Sequence, residues 1–237
     1  MKLSLHQKTI IAFVMMVFCF IPLKAQEHPY SVGVAGSITT TSRLFFSPYD
    51  VDIVARNQSM TFSNVWGMGI DVRRELQGNH FHIGISAEFL STNEAFTVLS
   101  NTGVPTPVED GYVSFPVEVT GYFTIPFGSE ILDVYMGGGF GGYFGERHYM
   151  YSGVKSHITA RKPGFGIHVL SGLEYHISSI LALRGEIKFR EVQFESTNVF
   201  VPDQGYIGMP LPYNETPFTS RMSIDGLMFN VTFVTRF

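Results

Sequence analysis

Apolar and polar residues alternate with a period of two in eight stretches, near residues 29–42, 60–74, 80–96, 111–126, 131–147, 163–177, 180–196 and 222–237. Such alternation predicts β-strands with one apolar face. In 180–196, Leu181, Leu183, Ile187 and Phe189 take one parity, while Arg184, Glu186 and Lys188 take the other. In 111–126, Val113, Phe115, Val117, Val119, Phe123 and Ile125 oppose Ser114, Glu118, Thr120 and Thr124. Trp66, Met68, Ile70 and Val72 oppose Asp71 and Arg73, and Phe81, Ile83, Ile85, Ala87 and Phe89 oppose His82, Ser86 and Glu88. Leu132, Val134, Met136 and Phe140 oppose Asp133, and Phe165, Ile167, Val169, Leu173 and Tyr175 oppose His168 and Glu174. The first stretch is weaker, with Tyr30, Val32, Val34 and Ile38 on its apolar side.

Asp71, Arg73, Glu88, Glu118, Asp133, Glu174, Arg184, Glu186, Lys188 and Arg236 all avoid the apolar parity. An Arg or Lys on the lipid face of a membrane barrel costs about 2–4 kcal/mol near the midplane, which explains that separation. A soluble barrel needs the opposite sorting, apolar within and polar outside. Here the charged face is the minority face, so it is predicted to line the lumen as a charge network. In lipid every backbone group must be bonded internally, so the sheet must close. Eight strands leave an interior just wide enough for side chains to fill. The fold class is therefore an all-β, closed antiparallel transmembrane β-barrel of eight strands.

The connections agree. Short links around Gln77-Gly78-Asn79, Phe127-Gly128-Ser129-Glu130 and Ser178-Ser179 alternate with long ones near 43–59, 97–110, 148–162 and 197–221. Tight periplasmic turns and larger extracellular loops are the habit of outer-membrane barrels.

The start of the chain adds an export route. Lys2 and Lys8 precede an apolar run from Thr9 to Leu23, shorter than the about 20 residues a membrane helix needs. Lys24-Ala25 then suits signal-peptidase cleavage, giving a signal peptide at 1–25 and a barrel domain at 26–237. Cys19 lies in that signal, behind the bulky Met16-Val17-Phe18, so lipidation is not expected and the mature chain carries no thiol. Cleavage removes three lysines and no acid, moving the formal charge from −4 to −7. An acidic chain without a basic block is not expected to bind nucleic acid.

The chain ends on a strand in which Leu227, Phe229, Val231, Phe233 and Phe237 share the outward parity. A last strand closed by Phe237, with Phe233 on the same face, resembles the signal read by the barrel-assembly machinery. The segments Tyr112-Val-Ser-Phe-Pro-Val-Glu-Val-Thr-Gly-Tyr-Phe123 and Ile131-Leu-Asp-Val-Tyr-Met-Gly-Gly-Gly-Phe-Gly-Gly-Tyr143 resemble the outer membrane protein β-barrel domain family. That resemblance implies the fold and a place in the bacterial outer membrane. It carries no common catalytic residues.

Candidate chemistry is thin. The run Gly137-Gly-Gly-Phe-Gly-Gly142 lacks the Lys-Ser/Thr and following helix of a phosphate loop. Its inward glycines 137, 139 and 141 are expected to make room for bulky side chains from across the lumen. His82, His168 and His176 face inward, but a metal needs three or four converging ligands, so no metal or cofactor is expected. The 148–162 connection and its flank hold Glu146, Arg147, His148, Ser152, Lys155, Ser156, His157, Arg161 and Lys162. A Ser/His/Glu set at a barrel rim is found in lipid-modifying enzymes, yet nothing in the spacing fixes a nucleophile against a base. Pro202, Pro210, Pro212 and Pro217 mark the last connection as a long exposed loop.

The expected function is a non-enzymatic outer-membrane barrel with a structural or surface-interaction role through its long extracellular loops. The alternatives are a narrow pore for ions or small solutes and a lipid-modifying barrel enzyme. The expected partners are outer-membrane lipid and lipopolysaccharide, and the barrel-assembly machinery through the C-terminal strand. The sequence does not identify an extracellular ligand.

Overall fold

The computed structural model describes residues 29–76, 80–100, 103–129, 131–201 and 216–237. The predicted signal peptide with Cys19, the Gln77-Gly78-Asn79 turn, Glu130, and Pro202, Pro210 and Pro212 lie outside the described residues.

The elements are β1 (Tyr30–Phe45), α1 (Ile53–Asn57), β2 (Ser59–Glu75), β3 (Phe81–Leu99), β4 (Pro105–Ser129), β5 (Leu132–Tyr151), β6 (Val154–Lys155), β7 (His157–Lys162), β8 (Gly164–His176), β9 (Leu181–Val199), β10 (Phe218–Ile224) and β11 (Leu227–Arg236). All eight predicted stretches are strands. One of them is interrupted, where Asp225-Gly226 separates β10 from β11, and an unpredicted strand, β7, precedes β8 across Pro163. A proline lacks the N–H that would continue the ladder.

Antiparallel pairing runs β1–β2–β3–β4–β5–β8–β9–β11 and returns to β1, a closed ring of eight. Its stagger can be counted. Stepping between partners from Thr39 passes Met228, Lys188, Leu170, Gly137, Tyr122, His82 and Glu75, then meets β1 at Pro29, ten residues lower. Such a stagger tilts the strands and fixes the ring's width at one that side chains can fill.

The close glycine-rich stretch has a local cause. A Cβ on Gly139 would collide with the Val119 carbonyl oxygen of the neighbouring strand. The space at this position is therefore taken by the backbone of β4, not by a side chain from across the lumen as the sequence suggested.

Outside, the ring is apolar. Trp66, Met68, Ile70, Phe81, Ile85, Phe115, Phe140, Phe165, Ile167, Ile187, Val231 and Phe233 are all exposed, Phe165 by 84%. That skin is what a lipid-facing wall requires.

At the end with the longer links the strands continue well past this skin. Pairing of β3 with β4 runs out to Leu99↔Pro105, so most of the expected 97–110 loop is hairpin. The expected 148–162 loop is likewise structured, with β5 and β6 joined through Ser152 (φ 52°) and Gly153 (φ 82°). Two successive positive φ values make the tight hairpin turn that matches strand twist. A single helical turn, α1, sits in the first connection, capped by Asp52 accepting from the Val54 N–H at 2.9 Å.

This upper wall is not a continuous ring among the described residues. β2 and β3 pair only between Trp66↔Ser91 and Glu75↔His82, and β5 leaves β8 above Tyr143↔Gly164. Two seams result, dividing the top into a β3–β4–β5–β6 sheet and a β7–β9–β10–β1–β2 sheet. Each seam has a residue behind it. Asn64, at φ 57°, turns β2 away just above Trp66, and Pro163 ends the ladder between β5 and β8.

Candidate functional site

The lumen holds the chain's densest chemistry, in two ion-pair clusters and an apolar plug. Alternation along each strand aims these side chains inward, as the skin residues between them point out.

The upper cluster is a four-membered cycle. Lys188 from β9 reaches Glu88 of β3 at 3.2 Å and Glu118 of β4 at 2.7 Å. Arg190 reaches the same two carboxylates at 2.9 and 3.5 Å. The Tyr143 hydroxyl also donates to Glu118, and His168 lies 3.8 Å from it while sharing a 2.9 Å hydrogen bond with Thr120. All four charged groups are buried.

The lower cluster is a chain leading to the periplasmic mouth. Glu186 accepts from Arg73 at 2.6 Å, Arg73 meets Asp71 at 2.8 Å, and Asp71 meets Arg184 at 2.9 Å. Arg184 continues to Glu174 at 2.7 Å, Glu174 to Arg236 at 2.5 Å, and Arg236 to Asp133 at 3.8 Å, beside His176. Tyr135 donates to Glu186 at 2.8 Å, and the Arg73 guanidinium lies 3.8 Å over the Tyr122 ring. Buried charges must be paired or destabilise strongly.

All ten residues read from the sequence sit in these two clusters. Arg190 was missed, though it follows Lys188 by two residues on the same parity. It changes the balance: the sequence set has six acids and four bases, and Arg190 makes the upper cycle two against two. His176, with Nε2 2.8 Å from Asp133, supplies the lower chain's fourth nitrogen partner. His82 lies apart, 3.3 Å from the Thr124 hydroxyl, and no metal-binding group of His, Asp and Glu occurs among the described residues.

Below the lower chain is a cavity of about 320 Å³, open to the periplasmic side and lined by Arg73, His82, Tyr122, Asp133, Glu174 and Arg236. Above the upper cycle the lining changes character. Leu44, Phe62, Val65, Leu90, Tyr112, Tyr143, Val192, Phe194, Met222 and Ile224 form one buried cluster. A second, of Val108, Tyr151, Val154, Phe200 and Phe218, lies higher still. The sequence reading, which took the interior as charged throughout, missed this plug. The reason is solvent: above the bilayer the outer face meets water, so apolar side chains gain by turning inward.

The rim residues do not assemble as the sequence grouped them. Arg147 points inside and is held by Asp110 at 2.5 and 2.8 Å and by Ser220 at 2.6 Å. Ser156 is buried and accepts from Asn198 at 3.1 Å. His148 lies on the outer wall, 3.7 Å from Glu146, which also binds Arg161. Farther round, Glu195 accepts from the Tyr49 hydroxyl at 2.7 Å and from Arg221 at 3.1 Å, with Lys162 at 3.4 Å. Burial pushes the Glu195 carboxyl up, but these hydrogen bonds and cations outweigh it and hold it below the usual carboxylate range.

The outer membrane protein beta-barrel domain family matches residues 10–237. No curated protein matches the chain. Among solved structures, Neisserial surface protein A is similar at 11% identity over 88% of this chain and 97% of that one, with a TM-score of 0.48. Ail, the attachment invasion locus protein of Yersinia pestis, matches at 11% identity over 88% and 99%, with a TM-score of 0.44. The outer membrane protease OmpT of Escherichia coli matches at 7% identity over 91% and 99%, also at 0.44. No activity passes to this chain from likenesses at that level.

Proposed function

The chain belongs to the outer membrane protein beta-barrel domain family, and on that premise we propose that it is a non-enzymatic barrel acting at the cell surface through the wall it raises above the bilayer. Its place is the bacterial outer membrane. The observation that carries the reading is the filled interior. Two paired charge clusters and a layer of fully buried aromatic and aliphatic side chains occupy successive levels of the lumen. A filled lumen supports a structural plug over a pore, because permeation needs a wet path and this stack is held by interlocking pairs.

What the barrel offers its surroundings is then its outside. Arg43, Arg161, Lys162 and Arg221 lie on the outer wall above the apolar skin, each beside a carboxylate, and cations at that level support a contact with the phosphate-bearing headgroups of lipopolysaccharide. Tyr30 and Phe237 close the ring at the other end by mutual backbone hydrogen bonds of 3.2 and 3.0 Å, and recognition of the terminal strand by the assembly machinery belongs to the stage before that closure.

Planar-bilayer recordings test the reading. The folded barrel is expected to give no steady unitary conductance, and its overexpression to leave the lipid A mass spectrum unchanged. A reproducible single-channel step, or a new lipid A species, contradicts it.

A further inference from the structure

We infer that the lumen binds one water molecule between Ser86, Lys188 and Asn230, and that this water joins the two ion-pair clusters into a single network. The site is independent of the surface role, since it involves only side chains inside the wall.

Among the described residues no ion pair joins the upper cycle to the lower chain. Between them is a cavity of about 20 Å³, walled by Ala35, Gly69, Ser86, Glu88, Lys188 and Asn230, with Asp71, Arg73 and Glu186 at its lower side. The room comes from two small residues. On the stretch of wall between β11 and β3, Ala35 of β1 pairs with Gly69 of β2, and Gly69 pairs with Glu88. A Cβ on Gly69 would come within 2.8 Å of the Ala87 carbonyl oxygen, so this position has no space for a side chain. Ala35 beside it offers only a methyl group.

The polar atoms around that space are incompletely bonded. The Asn230 amide nitrogen donates to Glu186 at 3.0 Å. That contact fixes the amide, because the reversed orientation would set its oxygen against a carboxylate. Asn230 Oδ1 is thereby left as an acceptor, buried and with no donor, and the Ser86 hydroxyl is buried with no partner either. An ammonium has three N–H groups. Lys188 gives one to Glu88 at 3.2 Å and one to Glu118 at 2.7 Å, which leaves a third. Buried polar atoms without partners are destabilising. A water needs about 10–15 Å³ and two to four polar partners, and the cavity supplies both.

The charges select water over an ion. A cation here would stand against Lys188 and Arg73, and an anion against Glu88 and Glu186. A water accepts from Lys188 and donates to Asn230 Oδ1 and Ser86 Oγ. Through it Lys188 reaches Asn230 and so Glu186, the upper end of the lower chain. The polar column then runs from Asp133 at the periplasmic mouth to Tyr143 beneath the plug.

High-resolution crystals of the mature chain test the site directly. One density peak is expected at about 2.7–3.2 Å from Asn230 Oδ1, Ser86 Oγ and Lys188 Nζ. It is expected to vanish in Ala35→Val, which fills the space without touching a polar group. No peak, or a peak that survives Ala35→Val, overturns the proposal. So does one held only by oxygens at about 2.3–2.6 Å, the mark of a metal cation. Urea midpoints in lipid vesicles give a second reading. Ser86 and Asn230 stand on β3 and β11 and share no hydrogen bond, so without the water the losses from Ser86→Ala and Asn230→Ala add. With it, the double variant loses clearly less than the sum, and additive losses overturn the proposal. Should Asn230→Ala not fold, the density alone decides.

Discussion

Arg190 and Glu88 meet at 2.9 Å across the lumen, joining β9 to β3 at a level where both side chains are buried, Arg190 completely. The contact closes the upper cycle, since Lys188 and Arg190 each touch both Glu88 and Glu118.

Breaking that cycle on one side should be costly. Arg190→Met leaves two buried carboxylates with one lysine, and removing one partner of a buried pair costs about 3–5 kcal/mol. The double variant Glu88→Met/Arg190→Met should lose much less. Urea unfolding in lipid vesicles, followed by the gel shift between folded and unfolded barrel, measures both. Equal losses contradict the pairing.

The plug and the skin should respond differently to truncation. Phe194 is fully buried above the bilayer, and Phe→Ala in a packed core costs about 3–5 kcal/mol. Phe165 faces lipid, where the cavity term is absent, so Phe165→Ala should cost clearly less. The same unfolding assay ranks them.

Acid should open the outer clasp between Tyr49 and Glu195. A carboxyl held below its unfolded value stabilises fully above that value, near 4.3, and loses the contribution as pH falls through the folded one. The ring carbon shifts of Tyr49 should stay constant around neutral pH and move only as pH falls below the unfolded carboxyl value, near 4.3. Movement already at pH 6 contradicts the assignment.

Deleting Phe237 should separate assembly from stability. The residue is bonded to Tyr30 at the edge of the fold, stacked at 6.2 Å, so refolding into detergent should be nearly unchanged. The amount of folded barrel in cell envelopes should fall severalfold. An unchanged level removes the proposed recognition.

Strand positions and the inward parity of the charges were legible because lipid penalises exceptions, leaving Leu183, Ile187 and Phe189 opposite Arg184, Glu186 and Lys188. The upper half was also written in the sequence, in a sign that is easily passed over. After Arg190 the apolar residues of β9 change parity, with Val192 and Phe194 inward and Glu191, Gln193 and Glu195 outward. That switch marks where the wall leaves the bilayer. The seams were less legible. A left-handed Asn64 in mid-strand has no signature in alternation, and Pro163 reads equally well as a loop residue. Nor could pairing across the lumen be read, because partners such as Glu88 and Arg190 are brought together by the stagger of the ring.

The most direct measurement is a spin-label scan of β9 in bilayers, one outward position at a time in the chain from residue 26 onward, which holds no other thiol. Labels at Leu183, Ile187 and Phe189 should collide with oxygen and be shielded from a water-soluble nickel chelate, and the order should reverse at Glu191, Gln193 and Glu195. Nickel access to position 183 or 187 matching that at 193 would mean that this face does not meet lipid, and the inside-out sorting would be wrong.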